Sequence, residues 1–105
     1  MKFKTIADVR AANRVKGQHF FDAGTMRFFN SKVESSLYAG RYFITSERFR
    51  YDDPKTYTIR EAKEDGDIDT IGEFCAYKDI ETAREEVRRL VRDNVEYPWT
   101  KKAAN

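Results

Sequence analysis

Histidine and cysteine each occur only once in this 105-residue chain, as His19 and Cys75. A single cysteine excludes an intramolecular disulfide, which favours a cytoplasmic compartment, and we interpret Cys75 as a buried apolar residue. Zinc sites need several Cys or His ligands, so we expect no metal centre. Hydroxyls such as that of Ser46 have no second imidazole to complete a catalytic triad. The sequence therefore argues against an enzyme, and it predicts no cofactor.

Long hydrophobic runs and linker segments are also missing. The longest apolar run, residues 74–77, has four residues, whereas a membrane span needs about 20. Residues 1–5 carry charge without an apolar stretch, so we expect no signal peptide and no membrane contact. The five glycines and two prolines form no linker. We predict one domain over residues 1–96, followed by a tail over residues 97–105.

Aromatic and charged side chains are plentiful, at 14% and 36% of the residues. The aromatic residues supply enough apolar area for a core, so we do not expect disorder. The net charge of +2 is unevenly distributed. Residues 1–50 hold ten Lys and Arg against four Asp and Glu, a balance of +6, and residues 51–105 hold ten against fourteen, a balance of −4. Either two oppositely charged faces or charges that cancel on folding would fit this division.

Helical spacing marks both ends of the chain. Thr5 followed by Asp8 resembles a capping box, and the apolar spacing after it predicts a helix over residues 6–16 that ends at Gly17. A second, shorter helix is predicted from apolar residues three and four apart, namely Met26, Phe29 and Val33. Asp79 is expected to cap a final helix whose apolar stripe holds Ile80, Ala83, Val87, Leu90 and Val91.

Strand-like spacing occupies the middle of the chain. Strands are predicted over residues 41–45, 56–60 and 68–74 from their β-branched and aromatic content. The pair Asp65-Gly66 favours a type I′ hairpin turn. Short connections favour neighbouring strands that pair in sequence order. The predicted fold class is α+β, with a three-stranded antiparallel meander sheet packed by helices in the order α-α-β-β-β-α.

The predicted hairpin over residues 61–73 is acidic. Asp65, Asp67 and Asp69 have the 1-3-5 spacing of a calcium-binding loop. That loop also needs Gly at its sixth position and Glu at its twelfth, where this chain has Thr70 and Ala76. We therefore interpret the hairpin as a solvated turn. Mimicry of nucleic-acid phosphates by these carboxylates is disfavoured by the basic first half of the chain.

The arginines leave nucleic-acid binding open. Arg84, Arg88 and Arg92 are four residues apart and would form a basic ridge on the last helix. A second patch could come from the first half, including Arg27, Arg41 and Arg48, and bases could stack on the sheet aromatics Tyr42, Tyr57 and Phe74. However, glutamates alternate with the arginines of the ridge, and the sheet needs its aromatics for a core. A solvated helix face is the simpler interpretation.

Residues 20–35 stand out because they contain Thr25-Met26-Arg27-Phe28-Phe29, and residues 40–47, 57–60 and 69–74 are similarly distinctive. Together these segments resemble a family of small uncharacterised proteins encoded by phages, plasmids and other mobile elements. The resemblance covers residues 18–90. It implies a mobile-element setting, where small proteins often bind host or phage macromolecules, and it implies no site residue.

We therefore expect a non-enzymatic small binding module of mobile-element origin that modulates or inhibits a host protein such as a defence nuclease. The alternative is a direct nucleic-acid-binding protein. The candidate contacts are Arg27, Arg41, Arg48, Arg84, Arg88, Arg92 and Trp99. An exposed aromatic group near Arg60 and Glu73, or on the last helix, would favour a protein interface, and the aromatics to inspect first are Tyr38, Tyr97 and Trp99.

Overall fold

Two helices and four strands have bounds within the described part of a computed structural model, which covers residues 3–18, 26, 30–48, 50 and 52–93, and Met26 of the predicted second helix is also helical. The elements are α1 (Ile6–Val15), β1 (Lys32–Val33), β2 (Tyr42–Glu47), β3 (Thr56–Ala62), β4 (Ile68–Ile71) and α2 (Ile80–Arg92). The predicted α+β class is confirmed. The predicted tail, residues 97–105, lies outside the described residues.

The sheet follows chain order, β1-β2-β3-β4, and all neighbouring strands are antiparallel. At its centre, Ile44 of β2 lies opposite Ile59 of β3. The meander order is therefore as predicted, but the prediction of three strands is wrong because β1 adds a fourth.

Strand β1 replaces the end of the predicted second helix. Asn30 has a positive φ of 53°, which redirects the chain just before β1. Val33 then pairs with Thr45 of β2 and packs in an apolar cluster. A two-residue strand has too little sequence to show a period, and its partner β2 determines its conformation. Most of the other residues of the predicted second helix lie outside the described part of the chain.

One face of the sheet packs against α2. Tyr42, Ile44 and Ile59 form a buried cluster on this face, and the residues that α2 contributes to it are Ala83, Val87 and Leu90. These helical residues come from the stripe predicted by spacing, although Val91 from the same stripe is 39% exposed. The helix begins as predicted at Asp79, whose carboxylate accepts a hydrogen bond from the Thr82 N–H at 3.3 Å.

The opposite face is divided into an apolar and a polar half. In the apolar half, Phe43 and Ala62 cluster with Val9 of α1 and with Met26. The predicted capping box is confirmed, since the Thr5 hydroxyl accepts from the Asp8 N–H and the Asp8 carboxylate accepts from the Thr5 N–H. In the polar half the sheet residues Thr45, Glu47, Thr58 and Arg60 are equally buried but carry hydroxyls and charges. This polar half lies beneath the candidate site.

The C-terminal end of α1 is attached to the β3–β4 hairpin. Asn13 is buried and donates from Nδ2 to the Gly66 carbonyl at 2.9 Å. Lys16 forms ion pairs with Asp65 at 2.7 Å and with Asp67 at 2.9 Å. The acidic turn, predicted to be solvated, is therefore partly neutralised by a helix that lies about 50 residues earlier in the chain.

The hairpin turn itself differs from the predicted type I′ turn. That type needs a positive φ at both central residues, and here Gly66 has a φ of 97° while Asp65 has no positive φ. The Gly66 N–H donates to the Lys63 carbonyl, and the Lys63 N–H donates to the Asp67 carbonyl. Three residues, 64–66, therefore lie between the hydrogen-bonded residues Lys63 and Asp67, and the last of them is the left-handed Gly66.

Candidate interaction surface

A loop of residues 72–76, here called the edge loop, interrupts pairing along β3. Ile71 lies opposite Ile59 and Tyr77 lies opposite Tyr57, so the five residues of the loop face Thr58 alone. Positive φ angles at Gly72 (75°) and Cys75 (60°) allow the chain to leave the sheet and return to it. The edge loop therefore folds over the polar half of the sheet.

The edge loop presents Phe74 to solvent. Phe74 is 57% exposed, more than any other aromatic residue that the structure describes. The Arg60 guanidinium carbon lies 5.2 Å from the centre of the Phe74 ring, within the range of a cation–π contact. Phe74 thus has a charged group on one side and open solvent on the other.

Arg60 is held in place by a buried polar network. Its side chain is 6% exposed and pairs with the equally buried Glu47 at 3.2 Å. The guanidinium also donates to Thr45 Oγ1 at 3.0 Å and to Thr70 Oγ1 at 2.8 Å. Because a guanidinium is planar, these three contacts fix the plane against which Phe74 packs.

The same network holds the backbone of the edge loop. Glu47 accepts hydrogen bonds from the Thr45 hydroxyl at 2.6 Å and from the Thr58 hydroxyl at 2.7 Å. Thr58 Oγ1 in turn accepts from the Cys75 N–H at 2.9 Å. Buried charges and hydroxyls that satisfy one another are costly to disturb. The network therefore keeps the loop, and Phe74 with it, in one arrangement.

Carboxylates border the edge loop and β4. Glu73 is exposed and forms no ion pair with any described residue. Asp69 is half exposed and pairs with Lys63 at 2.7 Å, a contact that raises the pKa of the lysine. The hydrogen bond from Lys16 lowers the pKa of Asp65 below its usual range. No three His, Cys, Asp or Glu side chains in the described ranges are grouped to hold a metal ion.

Two of the predicted first-half contacts are engaged within the fold. Arg41 pairs with Glu61 at 2.9 Å, and its guanidinium carbon lies 5.1 Å from the Tyr42 ring centre. Arg48 is half-buried and interacts with another part of the chain. Neither residue forms a freely exposed basic surface. Arg27 and Trp99 lie outside the described residues, as does His19.

The arginine ridge of α2 exists but is interrupted by acids, as its sequence indicates. Arg84 pairs with Glu81, and Arg92 lies 3.4 Å from Asp93. Arg88 is exposed and makes no ion pair with a described residue. A groove of about 440 Å³ runs along this side of α2, lined by Tyr77, Thr82, Glu85, Glu86, Arg88, Arg89 and Arg92.

The sheet aromatics do not form the open platform considered for base stacking. Tyr42 is 2% exposed, and Tyr57 packs half-buried against the cluster under α2. Phe74, the third of these residues, was predicted in the returning strand and instead lies in the edge loop. Gly72-Glu73, which breaks the alternation after Ile71, is the sequence signal that the strand ends early.

No described helix is long and apolar enough to cross a membrane. No curated protein and no solved structure shows significant similarity to the chain. Residues 5–88 match a sequence family described as "Family of unknown function (DUF7447)". The matched region contains α1, all four strands, the edge loop and α2 as far as Arg88. The chain therefore belongs to the DUF7447 family.

Proposed function

We propose that this chain is a non-enzymatic protein-binding module and that Phe74 anchors its partner. The observation that carries the proposal is an exposed aromatic ring on a loop whose backbone and underlying guanidinium are held by buried hydrogen bonds. A ring that is already ordered loses little conformational entropy on binding. Aromatic side chains are also enriched among the residues that dominate interface energies.

Charge favours a protein partner over a nucleic acid at this loop. Glu73 is adjacent to Phe74, and Asp69 lies on the neighbouring strand. The nearest cation, Arg60, is buried and already paired with Glu47. Stacking of a base on Phe74 would bring phosphates toward the adjacent Glu73 carboxylate with little compensating positive charge.

The resemblance to mobile-element proteins supports a host or phage macromolecule as the partner, reached in the cytoplasm. A host defence nuclease is one candidate, because a small non-enzymatic protein can inhibit such an enzyme simply by occupying its surface.

An affinity pull-down from host lysate tests this proposal. The wild-type chain and Val15→Ala should recover one protein in stoichiometric amount, and nuclease treatment of the lysate should not reduce its recovery. Phe74→Ala should lose it. Val15 is the matched control because it is also an exposed apolar side chain, 90% exposed, but lies on α1. Equal recovery by Phe74→Ala, or loss of the partner on nuclease treatment, would contradict the proposal.

The alternative function, direct nucleic-acid binding, is favoured by one observation, the exposed Arg88 and Arg92 on the same side of α2. It predicts binding to single- or double-stranded DNA or RNA that weakens steeply as salt rises. Arg88→Ala/Arg92→Ala should reduce both the affinity and the salt slope, whereas Phe74→Ala should change neither. Absence of binding at low salt would eliminate this alternative.

A further inference from the structure

We propose that the partner contributes an extended, positively charged segment that adds to the sheet as a strand beside β4, next to Phe74. This inference rests on the proposed protein-binding function and names the kind of segment that is bound.

The register of the sheet shows which backbone groups of β4 are available. The N–H of Lys63 bonds to Asp67, and the N–H of Tyr57 bonds to Tyr77, so the odd-numbered residues of β3 bond toward β4. Their partners in β4 are Asp69 and Ile71. In an antiparallel pair the intervening residues direct both their N–H and C=O groups away from the partner strand. These residues are Ile68 and Thr70.

The outward-facing groups of Ile68 and Thr70 have no hydrogen-bond partner among the described residues, since β4 is the last strand in the sheet order. They offer two donors and two acceptors to an added strand. Backbone pairing of this kind supplies affinity, and pockets or side chains beside the strand supply specificity.

Phe74 is placed to anchor an added strand, because its ring lies beside β4. Arg60 contacts both the Phe74 ring and the hydroxyl of Thr70, so the ring and β4 are neighbours on the same face. Alternate side chains of an added strand would point toward this face. An apolar side chain in that position would cover the exposed side of the ring.

The acidic side chains along the β4 edge favour a basic added segment. The hairpin, β4 and the edge loop present Asp65, Asp67, Asp69 and Glu73, and among the described residues the cations that pair with them are Lys16 and Lys63. Four carboxylates against two ammonium groups leave an excess of negative charge along this edge. Lys or Arg in the added strand would meet attraction here, whereas an acidic segment would be repelled.

Selection from a displayed random 12-residue peptide library, with the wild-type chain as bait, tests the inference. Enriched peptides should combine Lys or Arg with β-branched residues and at least one large apolar residue. Asp69→Asn/Glu73→Gln should weaken binding about tenfold at low salt and less at high salt. Phe74→Ala should weaken it by about tenfold or more.

N-methylation of the best peptide, one position at a time, separates strand addition from other modes of contact. Because only alternate N–H groups of an added strand face β4, methylation should weaken binding about tenfold or more at every second position and little between them. Amide hydrogen exchange of the protein tests the same strand pairing from the side of β4. Peptide binding should slow exchange at Ile68 and Thr70, with little change at Asp69 and Ile71, which already bond within the sheet.

The possible failures are distinguishable. Binding that depends on Phe74 without alternate sensitivity to methylation, or without protection at Ile68 and Thr70, overturns strand addition and leaves the protein-binding proposal standing. Binding unaffected by Phe74→Ala counts against both. Concentration-dependent protection of Ile68 and Thr70 in the protein alone would assign this edge to a second copy of the chain. Selection of acidic peptides, or of none, would also overturn the inference.

Discussion

At the scale of single residues, Gly66 shows how closely α1 approaches the hairpin. A Cβ at this position would lie 2.5 Å from the carbonyl oxygen of Ala12, inside van der Waals contact. The same residue has a φ of 97° and offers its own carbonyl to Asn13. Glycine is therefore required here by both its missing side chain and its backbone conformation.

Gly66→Ala should lower the free energy of unfolding by about 2 kcal/mol or more, because a left-handed alanine is strained and the new methyl group must displace α1. Gly72→Ala is the matched control, with a φ of 75° and no atom within 4 Å of the added Cβ. It should cost about 1 kcal/mol. Urea denaturation measures both, and equal losses would show that the approach of α1 is less close than described.

At the scale of elements, the sequence predicts the helices and strands whose positions depend on residues close to one another in the chain. Thr5 and Asp79 mark the starts of both described helices because capping uses side chains within three residues. Strand β1 could not be identified in this way, since its two residues become a strand only by pairing with β2.

The edge loop shows the same limit for the candidate site. From the sequence, an exposed aromatic near Arg60 and Glu73 is only a condition that would favour a protein interface, and Phe74 is predicted in a strand. Its exposed position depends on Tyr77 pairing with Tyr57 across a five-residue excursion. That pairing joins residues 20 apart in the chain. Likewise, Arg41 looks like a free cation in the sequence, and only the register of β2 and β3 places it beside Glu61.

The contact between α1 and the hairpin should depend on pH. The hydrogen bond from Lys16, followed by that from the Asp67 N–H, lowers the pKa of Asp65. A carboxyl whose pKa is lowered by folding stabilises the fold above its unfolded pKa, and this contribution is lost as pH falls through the folded pKa. The pKa of Lys16 is raised by Asp65 and Asp67, so its contribution is lost only at strongly alkaline pH.

We therefore expect Lys16→Met to lose less stability than the wild type between pH 7 and pH 3. Urea denaturation at the two pH values measures the difference, and Lys4→Met on the chain just before α1 is the control that should behave as the wild type. A variant Lys16→Met with an unchanged acid dependence would show that this pair does not stabilise the folded state. Added salt should reduce the effect, because the groups are exposed.

At the scale of the whole molecule, the buried polar network links three strands and the edge loop. Glu47→Gln keeps the side-chain volume but removes the carboxylate that pairs with the buried Arg60. Removing one partner of a buried pair costs about 3 kcal/mol or more. Glu86→Gln removes the carboxylate paired with the exposed Arg89 and should cost less than about 1 kcal/mol. Thermal or urea unfolding checks both variants, and similar costs would mean that the network is not a major source of stability.

The attachment of α1 to the hairpin has a consequence for synthesis of the chain. Asn13 donates to the Gly66 carbonyl across 53 residues of sequence, so this attachment of α1 cannot form until the hairpin has been synthesised. A ten-residue helix is marginal on its own in water. During synthesis α1 is made before the hairpin to which it is attached, so we expect it to become stable after the β2–β3–β4 meander, whose paired strands are neighbours in the sequence.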